Sequence, residues 1–244
     1  MEQQKIVLLT GWGTSCHAWD RIIPVLQQRY QVRCISPPWA SRGIEHHTLK
    51  NFDEYINKLA QDLREADTIV AWSFGGLLAI QLATKFPNLV ARIIFISSSA
   101  NFITNEVSLG IDPAWFAKFK HDFSLRPTKL LHKFFMLTNH GDEFAKEATE
   151  SLKQSCLPEH YDLDECIYAL ELLGTLDLSI QLSQLSCPTC FIHGENDAVL
   201  NMQAAEYAAK QTSSKLYIIQ AAGHAPHISH PLQVTELITQ VVPA

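Results

Sequence analysis

One serine, Ser73, stands between a run of residues typical of a buried strand (68–72) and a run typical of a helix (77–83). A serine in the tight turn between two such elements cannot bury its hydroxyl group in either of them. Its side chain is therefore presented at the carboxyl edge of a sheet, in front of a helix N-terminus. The small residues that this turn requires are Ala71, Gly75 and Gly76. The pattern predicts a nucleophile elbow, with Ala71 where the usual pattern has its first glycine.

The serine hydroxyl needs a base, and the base needs an orienting carboxylate; the usual chain order for such an elbow is serine, acid, histidine. His224 lies in a loop of small residues just after the last strand-like run. Asp197 follows the preceding strand-like run and is the candidate acid, while Glu195 is the alternative but lies closer to the strand end. We predict that Ser73 is the nucleophile, His224 the general base and then acid, and Asp197 the residue that holds the imidazole tautomer.

Donors for an oxyanion are expected in the loop after the first strand-like run, at Gly11-Trp12-Gly13. Glycines allow backbone N–H groups to approach a substrate closely. A Gly-Trp-Gly sequence alone is typical of an ordinary turn, but together with the elbow it favours an oxyanion hole. We predict that the backbone N–H groups of Trp12 and Phe74 form this hole and that the Trp12 indole walls the substrate pocket.

The length and composition of the chain favour one domain, or one domain with an inserted cap. The chain has 244 residues, of which 47% are hydrophobic and 18% charged, so it can form a large core and disorder is not expected. The N-terminal residues show no signal-peptide pattern, and no apolar run reaches the roughly 20 residues of a membrane helix. We expect a monomeric, cytosolic protein that binds neither membranes nor nucleic acid.

Cysteines give no sign of a redox or metal centre. Six are scattered along the chain, at positions 16, 34, 156, 166, 187 and 190, and in a cytosolic protein we expect reduced thiols. Cys187 and Cys190 form a Cys-x-x-Cys pair, but the pair precedes a strand, whereas a redox pair needs a helix N-terminus to lower its thiol pKa. No second pair completes a zinc site.

Three histidines, His224, His227 and His230, recur at every third position near the C-terminus. This spacing suits one face of a helix and raises the possibility of a metal site. However, Pro226 and Pro231 favour a loop there, and the sequence contains no His-Glu-x-x-His. We expect one catalytic histidine with two neighbours, and neither a metal nor an organic cofactor, because the triad chemistry needs none.

Strand-like and helix-like runs alternate along most of the chain, which predicts an α/β fold with a mostly parallel sheet covered by helices on both faces. Active sites in such sheets lie beyond the carboxyl ends of the strands, where all three triad candidates fall. The alternation stops in residues 101–186, which contain only helix-like segments. We predict a core formed by residues 1–100 and 187–244, and a helical cap over 101–186 inserted after the sixth strand. Such a cap would cover Ser73 and exclude water.

The predicted cap carries an unusual charge and many aromatic residues. Residues 113–140 contain five basic residues and one acidic residue, although the whole chain has a net charge of −6. Arg126, Lys129 and Lys133 have the spacing of one helix face. This face is either a docking site for an acidic partner or an ordinary solvated surface. Aromatic residues in the same stretch are candidates for the cap core or an acyl tunnel: Trp115, Phe116, Phe119, Phe123, Phe134 and Phe135.

Three motifs carry a resemblance to a known family. They are Gly11-Trp12-Gly13, the Trp-Ser-Phe-Gly-Gly of residues 72–76, and the Ala-Gly-His-Ala-Pro at 222–226 that continues to Ile-Ser-His-Pro at 228–231. Over nearly its whole length the chain resembles the α/β-hydrolases, and more narrowly the pimeloyl-[acyl-carrier protein] methyl ester esterases of biotin synthesis. It departs from the family at Thr10, where a histidine is common, and at Ala71.

The resemblance implies a serine carboxylesterase that hydrolyses the methyl ester of pimeloyl-[acyl-carrier protein] to methanol and a free carboxylate. It also implies that basic cap residues hold the acidic carrier protein, here Lys129, Lys133 and Lys146 beside Arg126, with Glu150 where another basic residue is expected. Phe134 matches an aromatic residue of the acyl pocket. The resemblance favours docking over a merely solvated face. Two alternatives remain: a broad carboxylesterase acting on small or short-chain acyl esters, and a non-catalytic, ligand-binding relative.

Overall fold

A parallel sheet forms the centre of the molecule, in agreement with the α/β fold that the sequence predicts. The computed structural model describes residues 3–40, 51–64, 67–106, 109–154 and 161–242. Its sheet has six strands in the order β2-β1-β3-β4-β5-β6, and every neighbouring pair is parallel. The strands are β1 (Lys5–Leu9), β2 (Gln31–Ile35), β3 (Asp67–Trp72), β4 (Val90–Ile96), β5 (Thr189–Gly194) and β6 (Lys215–Ile219).

Helices cover this sheet and fill the connections between its strands. In chain order within the described ranges they are α1 (Ile23–Leu26), α2 (Phe52–Gln61), α3 (Phe74–Lys85), α4 (Pro113–Leu125), α5 (Pro127–Thr138), α6 (Ala145–Gln154), α7 (Leu163–Thr175), α8 (Ser179–Ser183), α9 (Met202–Gln211), α10 (Pro226–Ser229) and α11 (Pro231–Val241). No helix among the described residues is long and apolar enough to cross a membrane.

The middle of the sheet is the best buried part of the core. Every residue of β3 is buried, and so are the last four residues of β4. A strand that is covered on both faces reads as a continuous apolar run, which is why the sequence signal is strong here. The carboxyl ends of β3, β5 and β6 meet at one edge of the sheet, so the loops that follow these strands converge there.

Five helices, α4 to α8, lie in the segment between β4 and β5 that was predicted to be the cap. The expectation that this segment follows the sixth strand is wrong: in the described part of the chain it follows the fourth. Among the described residues the strands that precede it are β1, β2, β3 and β4. The two ends of the segment are held together, because the backbone N–H of Leu178 donates to Ala100 O at 2.9 Å and Asn101 forms a bridge with Asp177.

The cysteines differ from the expectation of six reduced thiols. Cys16 and Cys34 are joined by a disulfide, because the loop after β1 passes beside β2 and brings their Cα atoms to 5.8 Å. Cys156 lies outside the described residues. Cys187 and Cys190 are free, and burial raises the pKa of the Cys190 thiol to about 12. The thiolate that a redox pair needs is therefore strongly disfavoured at Cys190.

The prediction of a loop at the C-terminal histidines is also wrong in part. Pro226 begins the short helix α10, and Pro231 begins α11. Proline is well tolerated in the first turn of a helix, because its missing N–H would have no partner there. The two prolines therefore start helices rather than exclude them.

Candidate active site

Ser73 occupies the turn between β3 and α3, in a backbone conformation that few L-residues adopt. Its φ and ψ are 53° and −119°, and its N–H donates to Ile96 O at 3.0 Å. The turn is tight on its inner side: a Cβ atom on Gly75 would lie 2.5 Å from Leu9 O, and one on Gly76 would collide with the Ser98 hydroxyl. The turn is therefore possible only because Gly75 and Gly76 have no side chains. It presents the serine side chain above the sheet edge.

The structure brings the three predicted catalytic side chains together. Ser73 Oγ lies 3.0 Å from His224 Nε2, and His224 Nδ1 lies 2.7 Å from Asp197 Oδ2. All three residues are buried. With Nδ1–H donating to the carboxylate, Nε2 is left as the acceptor for the serine proton, which is the tautomer that base catalysis requires.

Asp197 is held by more than the imidazole. Its Oδ1 accepts the backbone N–H groups of Val199 and Leu200, both at 2.8 Å. Burial opposes ionisation of this carboxyl group, but His224, His193 and the Leu200 N–H hold its pKa below the ordinary value. The carboxylate therefore stays ionised in a buried site, as an orienting group must.

Glu195, the alternative acid, has a different role. Its Oε2 accepts the N–H of Ala221 at 3.0 Å, and the contact is exposed. It thus braces the loop that carries His224 and does not touch the imidazole ring. His193 lies closer to the site than the sequence indicated: its Nε2 is 2.9 Å from Leu200 O and 3.5 Å from Asp197 Oδ2. No sequence signal separates this strand histidine from an ordinary core residue.

The backbone N–H groups of Phe74 and Trp12 are the two that the elbow and the Gly-Trp-Gly loop predict as oxyanion donors. Phe74 is the first residue of α3, so its N–H has no partner within the helix. Neither N–H donates to any acceptor in the described part of the chain. The loop that carries Trp12 is fixed, because the indole Nε1–H donates to Cys166 O of α7 at 2.9 Å.

An apolar cavity lies over Ser73. Trp12 forms part of its wall and makes edge contacts with Phe119, Phe123 and Phe134 at centroid distances of 5.0 to 5.7 Å. A second, outer cleft between α4 and α5 is bordered by Lys118, Asp122 and Lys133 among others. The two cavities share three aromatic residues in their lining: Trp115, Phe119 and Phe134.

The basic residues that were predicted to dock a partner are all exposed. Lys129 and Lys133 lie on α5, Arg126 lies at its N-terminal end, and Lys146 lies on α6. Within the described ranges none of these four side chains forms an ion pair, whereas Lys118 on α4 pairs with Asp122 at 2.6 Å. Glu150, where a further basic residue was expected, is exposed on α6.

Sequence reasoning missed the turn between α5 and α6, which reaches the loops of the triad. The backbone N–H of His224 donates to Thr138 O at 2.7 Å, and that of Gly223 donates to Asp142 Oδ2 at 2.7 Å. Asn196, beside the candidate acid, donates from its side chain to Gly141 O at 2.7 Å. These contacts join residues that are far apart in the chain, so no local sequence pattern predicts them.

His227 is buried behind the triad. Its ring lies 4.4 Å from Trp19 and 4.6 Å from Trp72 by centroid distance, and neither of its ring nitrogens has a hydrogen-bond partner among the described residues. Burial, together with the charge on His224, lowers the pKa of His227 to about 3. No group of three or more histidine, cysteine or acidic residues in the described part of the chain is arranged to hold a metal ion.

Sequence comparison shows similarity to a family model and to named esterases. The model described as the alpha/beta hydrolase fold matches residues 5–231. A pimeloyl-[acyl-carrier protein] methyl ester esterase of Proteus mirabilis is 31% identical over 237 residues, which are 96% of this chain and 90% of that protein. An esterase of the same name from Aromatoleum aromaticum is 29% identical over 254 residues and covers 99% of both chains. The biotin biosynthesis bifunctional protein BioHC of Teredinibacter turnerae is 28% identical, and this chain spans 43% of its length.

Solved structures with the same fold include proteins of different names. A bromoperoxidase from Bacillus anthracis superposes with a TM-score of 0.88 at 17% identity, covering 98% of this chain and 91% of that one. The esterase EaEST from Exiguobacterium antarcticum superposes with a TM-score of 0.83, also at 17% identity and with the same coverage. At this level of identity the likeness is one of fold.

Proposed function

Since this chain belongs to the alpha/beta hydrolase fold family and, within it, to the pimeloyl-[acyl-carrier protein] methyl ester esterases, we propose that it hydrolyses the methyl ester of pimeloyl-[acyl-carrier protein]. The products are methanol and a carrier-bound chain with a free carboxylate. The observation that carries the proposal is the pair of hydrogen bonds that link Ser73 to His224 and His224 to Asp197 beneath an apolar cavity. The enzyme is a serine hydrolase of the carboxylesterase class.

The first half of the reaction forms an acyl-enzyme. Ser73 Oγ attacks the ester carbonyl carbon while His224 Nε2 takes the hydroxyl proton, and Asp197 stabilises the imidazolium that results. The N–H groups of Trp12 and Phe74 donate to the oxyanion. The tetrahedral intermediate then collapses, the bond to the methoxy oxygen breaks, and His224 gives its proton to that oxygen, which leaves as methanol.

The second half releases the acid. A water molecule gives a proton to His224 Nε2 and attacks the acyl-enzyme carbonyl, and the same two N–H groups stabilise the second oxyanion. The bond to Ser73 Oγ then breaks and the serine recovers its proton. The product carboxylic acid ionises at neutral pH.

The apolar character of the cavity suits this substrate better than its product. A methyl ester is uncharged, and its methylene chain is stabilised when it leaves water and packs against Trp12, Phe119 and Phe134. The product carries a carboxylate, which is costly to hold in an apolar cavity without a paired charge. The same lining therefore favours entry of the ester and departure of the acid.

A carrier-bound substrate also suits the surface above the cavity. The exposed basic side chains of α5 and α6 complement an acidic carrier protein. The outer cleft between α4 and α5 opens beside Lys133, and its aromatic lining continues into the inner cavity. We propose that α4 to α8 act as a cap, that the carrier docks on the basic face, and that the acyl chain passes between α4 and α5.

The test is hydrolysis of the carrier-bound methyl ester beside free dimethyl pimelate. Wild type should turn over the carrier-bound ester faster than the free one, and Ser73→Ala should abolish both activities while remaining folded. Equal rates on the two substrates would instead favour a broad carboxylesterase of small esters. If a fluorophosphonate probe failed to label Ser73 in the folded protein, a non-catalytic relative would be the better description.

Docking is tested separately by charge reversal. Lys129→Glu combined with Lys133→Glu should raise KM for the carrier-bound ester roughly tenfold or more, since each lost contact between opposite charges weakens the encounter. The rate on dimethyl pimelate should not change. Lys210→Glu with Lys215→Glu is the matched control, because both residues are exposed and lie outside the cap segment. An equal loss on both substrates in the cap variant would mean a disturbed cap rather than lost docking.

A further inference from the structure

The turn between α5 and α6, residues 139–144, contacts the histidine loop at two points, and Thr138 at the end of α5 adds a third contact. Asp142 Oδ2 accepts the N–H of Gly223, the residue before His224, at 2.7 Å. The N–H of His224 itself donates to Thr138 O, at the end of α5, and the N–H of Glu143 donates to Ala221 O at 2.9 Å. The backbone that leads up to the catalytic imidazole, from Ala221 to His224, is thus bonded to the cap segment.

The same turn also contacts the acid loop. Asn196, next to Asp197 in the chain, donates to Gly141 O at 2.7 Å. The acid loop is in turn bonded to the histidine loop, because the N–H of Asn196 donates to Ala222 O at 2.8 Å. The two loops and the turn therefore form one three-way junction, and the turn connects the loop that carries His224 with the loop that carries Asp197.

The histidine loop and the turn are tightly packed in this junction. A Cβ atom on Gly223 would lie 2.6 Å from Thr138 O and 3.5 Å from Asp142 Cβ, so the histidine loop runs directly against the turn. Asp142 is 7% exposed, and its second oxygen accepts the N–H of Phe144 at 2.7 Å, which fixes the carboxylate in the turn. Both oxygens are used, one inside the turn and one across to the catalytic loop.

From this geometry we propose that Asp142 is a positioning residue for the catalytic histidine, and that the α5–α6 turn is a structural part of the active site. The proposal rests on the proposed roles of Ser73, His224 and Asp197. The physical reason is that a displacement of about 1 Å at a catalytic group costs on the order of a hundredfold in rate. An ionised acceptor on the Gly223 N–H is a stronger tether than a neutral one.

Steady-state hydrolysis of a small ester, p-nitrophenyl acetate, tests the proposal without a carrier protein. Asp142→Ala should lower kcat roughly tenfold or more, with KM changed by less than about twofold, since geometry at the reacting centre is lost and binding is not. Asp142→Asn keeps one acceptor oxygen and should recover part of the loss. The proton resonance of the His224 Nδ1–H in its bond to Asp197 should shift or broaden in Asp142→Ala, which a merely local loss of stability would not produce.

Asp112→Ala is the matched control. Asp112, like Asp142, accepts a backbone N–H near the start of a helix, that of Trp115 at 2.8 Å, but it is exposed and among the described residues it does not contact the triad loops. It should keep both kcat and the resonance. The proposal is overturned if folded Asp142→Ala retains kcat within about twofold of wild type, or if Asp112→Ala loses as much.

A second variant keeps the test decisive if Asp142→Ala does not fold. Asn196→Ala removes an exposed contact of the same turn. It should lower kcat at least about threefold and leave KM unchanged, because only the geometry of the acid loop is disturbed. An unchanged kcat would refute the role of the turn. Ser73→Ala separates this failure from a failure of the proposed function. If it still turns over the ester, the proposed nucleophile is wrong; if it is inactive while Asp142→Ala is fully active, only the positioning role is wrong.

Discussion

Replacing His227 by phenylalanine is expected to reduce the protein's sensitivity to acid. The imidazole is 0% exposed, between Trp19 and Trp72, and its nitrogens have no partner among the described residues. Burial, together with the charge on His224, lowers its pKa from 6.5 to about 3. The folded protein therefore holds this ring neutral at pH values where the unfolded chain protonates it.

The sign and size of the effect follow from linkage. Between the unfolded pKa of about 6.5 and the folded pKa of about 3, the unfolded state binds more protons, so the free energy of unfolding falls as the pH falls. From about pH 7.5 to about pH 5 this single residue should lower the free energy of unfolding by about 2 kcal/mol. Most of the loss lies below about pH 6.5, where the unfolded imidazole becomes charged.

The assay is urea unfolding of wild type and His227→Phe at several values from about pH 7.5 to about pH 5. Any change in packing shifts the variant by an amount that does not depend on pH, so only the change in the difference between the two proteins is interpreted. The variant should lose about 2 kcal/mol less than wild type over this range. His121→Gln, at an exposed position of α4, is the control and should follow wild type. Parallel pH profiles for wild type and His227→Phe would refute the reasoning.

Three further predictions concern the disulfide, the elbow and the pocket. Reduction, or Cys34→Ser, should lower the free energy of unfolding in urea by about 3 kcal/mol, because Cys16 and Cys34 are 18 positions apart; an unchanged midpoint under reductant would contradict this. Gly75→Ala should destabilise the fold by about 2 kcal/mol or more in a thermal melt, since its Cβ would meet Leu9 O, and a variant as stable as wild type would mean that the turn can shift. Phe134→Ala should lower kcat/KM roughly tenfold for dimethyl pimelate but little for an acetyl ester, because the lost contact serves the longer chain; equal losses on both esters would instead indicate damage at Ser73.

The sequence was sufficient where the determinants are local or repeat along the chain. The switch from an apolar strand to a helix at Ser73, with small residues around it, predicted the elbow, because a sharp turn is determined by the few residues that form it. Alternation of the two kinds of run predicted the α/β fold, which is confirmed, as are the family and the class of enzyme. The roles of the three triad residues stay predictions, although the structure brings their side chains within hydrogen-bonding distance.

What the sequence did not predict depends on contacts between distant segments. The disulfide requires knowing that β1 and β2 are neighbours, which the spacing of Cys16 and Cys34 does not state. Asp142 looks like any turn residue, and its contact with Gly223 spans 81 positions. His193 lies among apolar strand residues and is identified only by its distance to Asp197. In each case the role of the residue depends on a neighbour that is close in space but distant in the sequence.

The hydrogen bond between Leu178 and Ala100 at the base of α4 to α8 has a consequence for how fast the sheet can assemble. β4 and β5 are paired neighbours, yet the chain between them is roughly 90 residues long, and bringing distant segments together costs entropy that slows folding. If the helical segment folds first and this contact closes its base, the effective connection shrinks to roughly 15 residues, which lowers the closure cost by about 2 kcal/mol. The kinetic order is then helices first and completion of the sheet second, so a substitution that loosens this contact should slow refolding more than it accelerates unfolding.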